Sequence, residues 1–112
     1  MDKLDNYREI IIEVIKSFTK PNSAYFSEID VQVIIDREND HYFLYYVGWD
    51  ELERIHDCIF HFDIIEEKVW LQEDNTNAEA ALLLVGKGIP KSDIVLGFQA
   101  PYKRQYTEFA VA

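Results

Sequence analysis

The run Ile29-Asp30-Val31-Gln32-Val33-Ile34-Ile35-Asp36 and, after Arg37–Asp40, the run His41-Tyr42-Phe43-Leu44-Tyr45-Tyr46-Val47-Gly48-Trp49 decide the fold. In the first, Ile29, Val31, Val33 and Ile35 alternate with Asp30, Gln32 and Asp36. Successive side chains on a strand point to opposite faces, so this pattern predicts a strand with one buried face. Asp36-Arg37-Glu38-Asn39-Asp40 reads as a hairpin connection. The second run is apolar on both faces, which predicts a central strand covered twice.

Outward from that pair, a third strand is expected over Arg54–Ile65. Its even positions Cys58, Phe60, Phe62 and Ile64 are apolar, and Asp57, His61 and Asp63 occupy the other face. Glu66-Glu67 turns into Lys68-Val69-Trp70-Leu71-Gln72, which completes four sequential strands with short links, an antiparallel meander. Upstream, Leu4, Tyr7, Ile11, Val14, Ile15 and Phe18 fall at helical spacing. They predict an amphipathic helix over Asp2–Phe18, ended by Lys20-Pro21-Asn22-Ser23. Downstream, Thr76-Asn77-Ala78-Glu79 matches a capping box for a helix carrying Ala81, Leu82 and Val85 toward Gly86 and Gly88. Ile94–Phe98 reads as extended. Pro101 suits the start of a short final helix, while Tyr106–Val111 also suits a strand. The hydrophobic run Tyr106–Ala112 is expected to dock rather than fray. The fold class is α+β, one domain over residues 1–112: an N-terminal helix, a four-stranded antiparallel sheet, a second helix and a docked C-terminal segment.

Composition sets the class. A hydrophobic fraction of 48% with 14% aromatics is more than a disordered chain carries, and 112 residues suffice for one core. The single Cys58 forms no internal disulfide and fits a reducing compartment. No secretory signal pattern or membrane-length apolar stretch is present, so a cytoplasmic protein is expected. With 21 acidic against 11 basic residues the net charge is −10, which repels phosphate backbones and argues against strong nucleic-acid binding. From Lys87 onward four basic residues face two acidic ones, a net +2, so the first 86 residues hold −12. An acidic body is suited to a basic protein partner.

Candidate chemistry is sparse. His56, Cys58 and His61 are zinc-type ligands within six residues. Strand parity separates His61 from the other two, so a metal site there needs a bulge. His61 with Asp57 and Asp63 on one face suggests a carboxylate-oriented imidazole, with no nucleophile beside it. A small hydrolase or metal-dependent nuclease built on these three residues is therefore a minor alternative. Asp36–Asp40 imitates a calcium loop but lacks its glycine, and Val47 stands where the bidentate glutamate belongs. Asp63 with Glu66-Glu67-Lys68 imitates a nuclease pattern, but the glutamates sit in a tight turn and point to solvent. No catalytic, cofactor or metal residue is assigned. Ile34, Ile59, His61 and Trp70 are expected to form a mixed second sheet face, either covered by the second helix and C-terminal segment or open to a partner. Trp49, His61, Trp70, Gln72 and Tyr106 are the expected partner contacts.

Further blocks recur in order along nearly the whole length: Met1-Asp2-Lys3-Leu4, Tyr7-Arg8-Glu9-Ile10-Ile11, Asp40-His41-Tyr42, Val47-Gly48-Trp49, His61-Phe62-Asp63-Ile64 and Lys68-Val69-Trp70-Leu71-Gln72. They continue with Gly88-Ile89-Pro90-Lys91-Ser92-Asp93-Ile94-Val95-Leu96-Gly97-Phe98 and Tyr106-Thr107-Glu108-Phe109-Ala110-Val111-Ala112. In this order and spacing the chain resembles the XisI family, excision-controlling factors associated with programmed DNA rearrangement in cyanobacteria. Gln99-Ala100-Pro101 stands where similar proteins often carry His-Pro-Pro, and Glu66-Glu67 replaces an Asp-Gly type of turn. The resemblance implies a non-enzymatic accessory factor for excision of a DNA element during heterocyst development. It acts with a XisH-like, nuclease-related partner, and a separate site-specific recombinase cuts and rejoins the DNA. No catalytic residues carry over. The same acidic surface, imitating phosphate, also suits an inhibitor or antitoxin-like module that restrains such a partner. Open edge strands leave a homodimer available.

Overall fold

The computed structural model describes residues 2–19 and 28–112. Helix α1 spans Lys3–Lys16, followed by strands β1 (Ile29–Asp36), β2 (His41–Asp50), β3 (Glu53–Ile65) and β4 (Lys68–Asp74). Helix α2 (Ala80–Gly86), a 3-10 turn at Lys91–Asp93, strand β5 (Ile94–Leu96) and the short helix α3 (Pro101–Arg104) complete the order. The helix terminator expected at Lys20–Ser23 lies outside the described residues.

The sheet corrects the sequence reading. It has five strands in the order β1-β2-β3-β4-β5, and β5 runs parallel to β4. The first four strands form the expected antiparallel meander. The added strand is only three residues long and carries no periodicity. A non-local contact holds its end: the Gly97 N–H donates to the Leu71 carbonyl at 2.8 Å. Beyond α3 the chain does dock, through a bridge between Val95 and Ala110 and through Lys68 Nζ, which donates to the Ala112 carbonyl at 2.7 Å. Tyr106–Val111 therefore contributes one bridge rather than a strand.

Helix α1 starts where Asp2 caps it, its side chain accepting from the Asp5 N–H at 2.8 Å. It buries Tyr7, Ile10, Ile11, Ile12, Val14 and Ile15 against Tyr42, Leu44, Phe60, Phe62, Val69 and Leu71 of the sheet. Each aliphatic side chain fully buried there contributes roughly 1.5–3 kcal/mol. Arg8 ties the helix to the β1–β2 turn: Nε and Nη2 donate to the two carboxylate oxygens of Asp40 at 2.8 and 3.1 Å. The Tyr42 hydroxyl donates to the same carboxylate at 2.8 Å.

The Thr76–Glu79 capping box does not form. Glu79 is left-handed with φ 54° and makes no side-chain cap. Asp74 performs the task from the end of β4: one oxygen accepts from Thr76, the other from the Ala80 N–H at 2.9 Å. Ala80, Ala81 and Leu84 of α2 then join the same core as α1. Both helices consequently cover one face of the sheet. Strand β2 is central but covered once, with Tyr42 and Leu44 fully buried and Phe43 and Tyr45 only partly so.

Candidate functional site

The face away from the core carries Ile34, His61 and Trp70 of the expected mixed set, whereas Ile59 is buried with the core, and two bulges assemble the face. The β2–β3 hairpin starts with Asp50 opposite Glu53, and straight pairing from there would set His41 opposite Phe62. A register shift between Leu44 and Tyr45 leaves Ile59 as an extra residue and sets His41 opposite Asp63. Beyond a bulge the face of every residue inverts. Cys58 pairs with Tyr45 and so shares the open face with His61, whose partner is Phe43. Asp57 pairs with Tyr46, which packs on the core, so Asp57 lies on the helix side. Both placements reverse the parity expected for these two residues. The trio His61, Asp57 and Asp63 does not assemble.

A different trio does. Asp63, only 7% exposed, accepts on Oδ1 from His41 Nδ1 at 2.7 Å and from His61 Nε2 at 2.8 Å. A carboxylate cannot donate, so both imidazoles present an N–H to that one oxygen. Oδ2 accepts from Gln72 Nε2 at 3.1 Å. Gln72 is the extra residue of a second bulge, since Phe62 pairs with Leu71 and His61 with Glu73. Gly97 makes room for its amide: a Cβ there would stand 2.3 Å from Gln72 Oε1. His61 is fixed from the other side by Phe43, stacked with ring centroids 4.1 Å apart.

Electrostatics follow the geometry. Burial opposes ionisation of Asp63, yet the hydrogen bonds from His41, His61 and Gln72 outweigh it and hold the carboxyl below its ordinary range. The hydrogen bond to Asp63 raises His41 above its ordinary value. Cys58 is pushed up to about 12, chiefly by burial, so it is a thiol and a poor nucleophile. Its Sγ donates to the Phe60 carbonyl at 3.3 Å.

Around the trio the face is aromatic. Trp70 lies opposite Asp63 on β4, with the Arg104 guanidinium 5.1 Å from its ring centre. On the other side Gln32, Ile34, Phe43, Tyr45 and His56 line a shallow depression of about 320 Å³. The structure thus brings together His61, Trp70 and Gln72, and leaves Trp49 and Tyr106 apart from them. Trp49 sits near the β2–β3 hairpin end beside Arg54, and Tyr106, 81% exposed, follows α3. The second helix does not cover this face, and the C-terminal segment reaches it at Trp70 through Arg104. His41 is the residue that sequence reasoning missed, because its role depends on a bulge-shifted register across two strands. Of the four basic residues from Lys87 onward, Lys87 pairs with Glu13 and Lys91 with Glu108. Among the described residues no helix is long and apolar enough to cross a membrane.

The model of the family described as XisI protein matches residues 1–111. A XisI-like protein from Anabaena variabilis, known from its crystal structure, is 44% identical, with a TM-score of 0.90 over 98% of this chain and 100% of that one. The fdxN element excision controlling factor XisI from the same organism is 38% identical, with a TM-score of 0.83 over 99% of this chain and 100% of its own. No curated protein matches the chain.

Proposed function

The chain belongs to the XisI family, and from that premise we propose that it is a non-enzymatic, cytoplasmic accessory factor that controls excision of a DNA element through protein–protein contacts. The observation that carries this reading is the full-length likeness to a protein named as an excision controlling factor. The proposed companion is a XisH-like, nuclease-related protein, with the recombination chemistry residing in a separate site-specific recombinase. Two properties of the chain support a protein partner over DNA. Its net charge of −10 opposes a phosphate backbone, and one sheet face stays open with aromatic and amide side chains that match the make-up of interface cores.

The test is co-expression with the XisH-like protein encoded nearest to it, followed by light scattering. A complex of the summed mass is expected; two species of separate mass would contradict the reading. A second reading, restraint of the partner's nuclease-like activity, draws on the acidic surface as a phosphate mimic. Addition of this chain then lowers the partner's activity on DNA, whereas an activating factor raises it.

A further inference from the structure

The trio on the open face has the donor set of a transition-metal site. We propose that His41 Nδ1, His61 Nε2 and the carboxylate of Asp63 bind one divalent first-row transition cation of the zinc class, with the remaining position open to solvent. This goes beyond the accessory role and does not depend on it.

The donors already converge. Their ligand atoms lie within 4.8 Å of one another, and among the described residues no other group of three His, Cys, Asp or Glu side chains meets that condition. Two imidazole nitrogens and one carboxylate oxygen are the ligands of open zinc and facial-triad sites, which keep at least one position for water. His41 and His61 stand 2.7 and 2.8 Å from Asp63 Oδ1. Around a tetrahedral ion with ligand bonds near 2.0 Å, donors lie about 3.3 Å apart. Small side-chain rotations that open each histidine–carboxylate gap by about half an ångström, while the two imidazole nitrogens, within 4.8 Å of each other, settle to the same spacing, therefore admit the ion. Each neutral imidazole then carries its proton on the other ring nitrogen.

Rigidity and solvent access also fit. His61 and Asp63 are two residues apart on β3, and His41 is the cross-strand partner of Asp63, so all three project from the sheet rather than from loops. Phe43 stacks on His61, and Gln72 holds the second carboxylate oxygen, as an outer-shell partner does for a ligating carboxylate. The His41 side chain is 49% exposed, so the ion has an entry path and an outward-facing position. Asp63 otherwise lies buried, paired with two imidazoles and an amide and, among the described residues, with no lysine or arginine in its hydrogen-bond set. The shifted register that makes the trio possible adds to the case, since bulges recur where a side chain is re-aimed into a site.

The experiment titrates the full chain, stripped with chelator, with Co²⁺ and Zn²⁺. One equivalent of Co²⁺ is expected to give a visible d–d spectrum that one equivalent of Zn²⁺ abolishes, with a matching calorimetric stoichiometry of one. His41→Gln and Asp63→Asn are expected to lose stoichiometric binding. Gln72→Ala is expected to weaken it about 10–100-fold, as outer-shell losses do. His56→Gln and Cys58→Ser are expected to leave it unchanged. Should Asp63→Asn fail to fold, by circular dichroism, His41→Gln at the exposed ligand decides alone. Absence of stoichiometric uptake by the native chain overturns the proposal. So does binding that survives His41→Gln, or binding that depends on His56 or Cys58 instead.

Discussion

The two faces of one sheet are built from the same strands and have opposite characters. On the helix side, Tyr42, Leu44, Phe60, Phe62, Val69 and Leu71 are buried with almost no exposure. One residue along, Phe43, Tyr45, His61, Trp70 and Gln72 are only half-buried, and the buried residues beside them are a carboxylate, Asp63, and Val95 at the β5 edge. Dry packing on the first face supplies the stability; the second face keeps polar groups satisfied by one another. Among the described residues, no buried side-chain nitrogen or oxygen lacks a hydrogen bond. The open face is therefore not an unfinished core. Its polar residues are held by designed register shifts, and its aromatic residues are spaced between them.

The largest effect should come from truncating the covered face. Phe62→Ala is expected to cost about 3–5 kcal/mol, as emptying a full core site does. Phe43→Ala on the open face should cost about 1 kcal/mol or less, because most of the ring's surface change is outside the core. Urea unfolding of both variants measures this, and similar losses would erase the contrast between the faces.

Next in size is the clamp that fastens α1 over the covered face. Asp40→Asn removes the charged pairing with Arg8, with an expected loss of about 1.5–3 kcal/mol. Its pH dependence has a definite sign. The Arg8 hydrogen bond holds the Asp40 carboxyl below its unfolded value near 4. The contribution is complete above that value and disappears as pH falls through the lower, folded one. Unfolding midpoints of the native chain and Asp40→Asn should therefore differ by a constant amount from pH 7 to pH 5 and converge in stronger acid. A gap that widened in acid would refute the assignment.

The smallest expected change is a gain. Glu66 and Glu67 both adopt left-handed backbone, with φ of 49° and 67°, in the turn joining β3 to β4. Left-handed conformation costs an ordinary L-residue roughly 1–2 kcal/mol, and Asn-Gly adopts this hairpin turn readily. The double change Glu66→Asn with Glu67→Gly is expected to raise the thermal midpoint by a few degrees while leaving cobalt binding at the trio unchanged. Altered metal binding would mean that the turn sets the register of the open face.

How much of this was legible in the sequence divides along the same line. Alternation at Phe60–Ile65 and the apolar spacing of α1 are local, and they placed the covered face and the His61–Asp63 pair correctly. The bulges at Ile59 and Gln72 are not local. Each depends on a partner strand, and each inverts parity for everything beyond it, which is why sequence alternation puts Asp57 and Cys58 on the wrong faces and gives no sign of His41. The extended reading of Ile94–Phe98 holds for β5 at Ile94–Leu96, but its place in the sheet is not legible, because a three-residue strand is positioned by its parallel pairing with β4 rather than by its own pattern. The cap of α2 escaped because Asp74, six residues ahead of Ala80, supplies it across an irregular turn.

The most direct test of the account compares the two faces as binding surfaces. Calorimetric titration of the proposed XisH-like companion with His61→Ala and Trp70→Ala on the open face, and with Leu82→Ala, half-exposed on α2 of the covered side, separates them. The open-face variants are expected to weaken the complex at least about tenfold, the size expected of aromatic interface anchors, with Leu82→Ala unchanged. Loss of binding in Leu82→Ala with native affinity in His61→Ala and Trp70→Ala would place the partner on the helices and contradict the account.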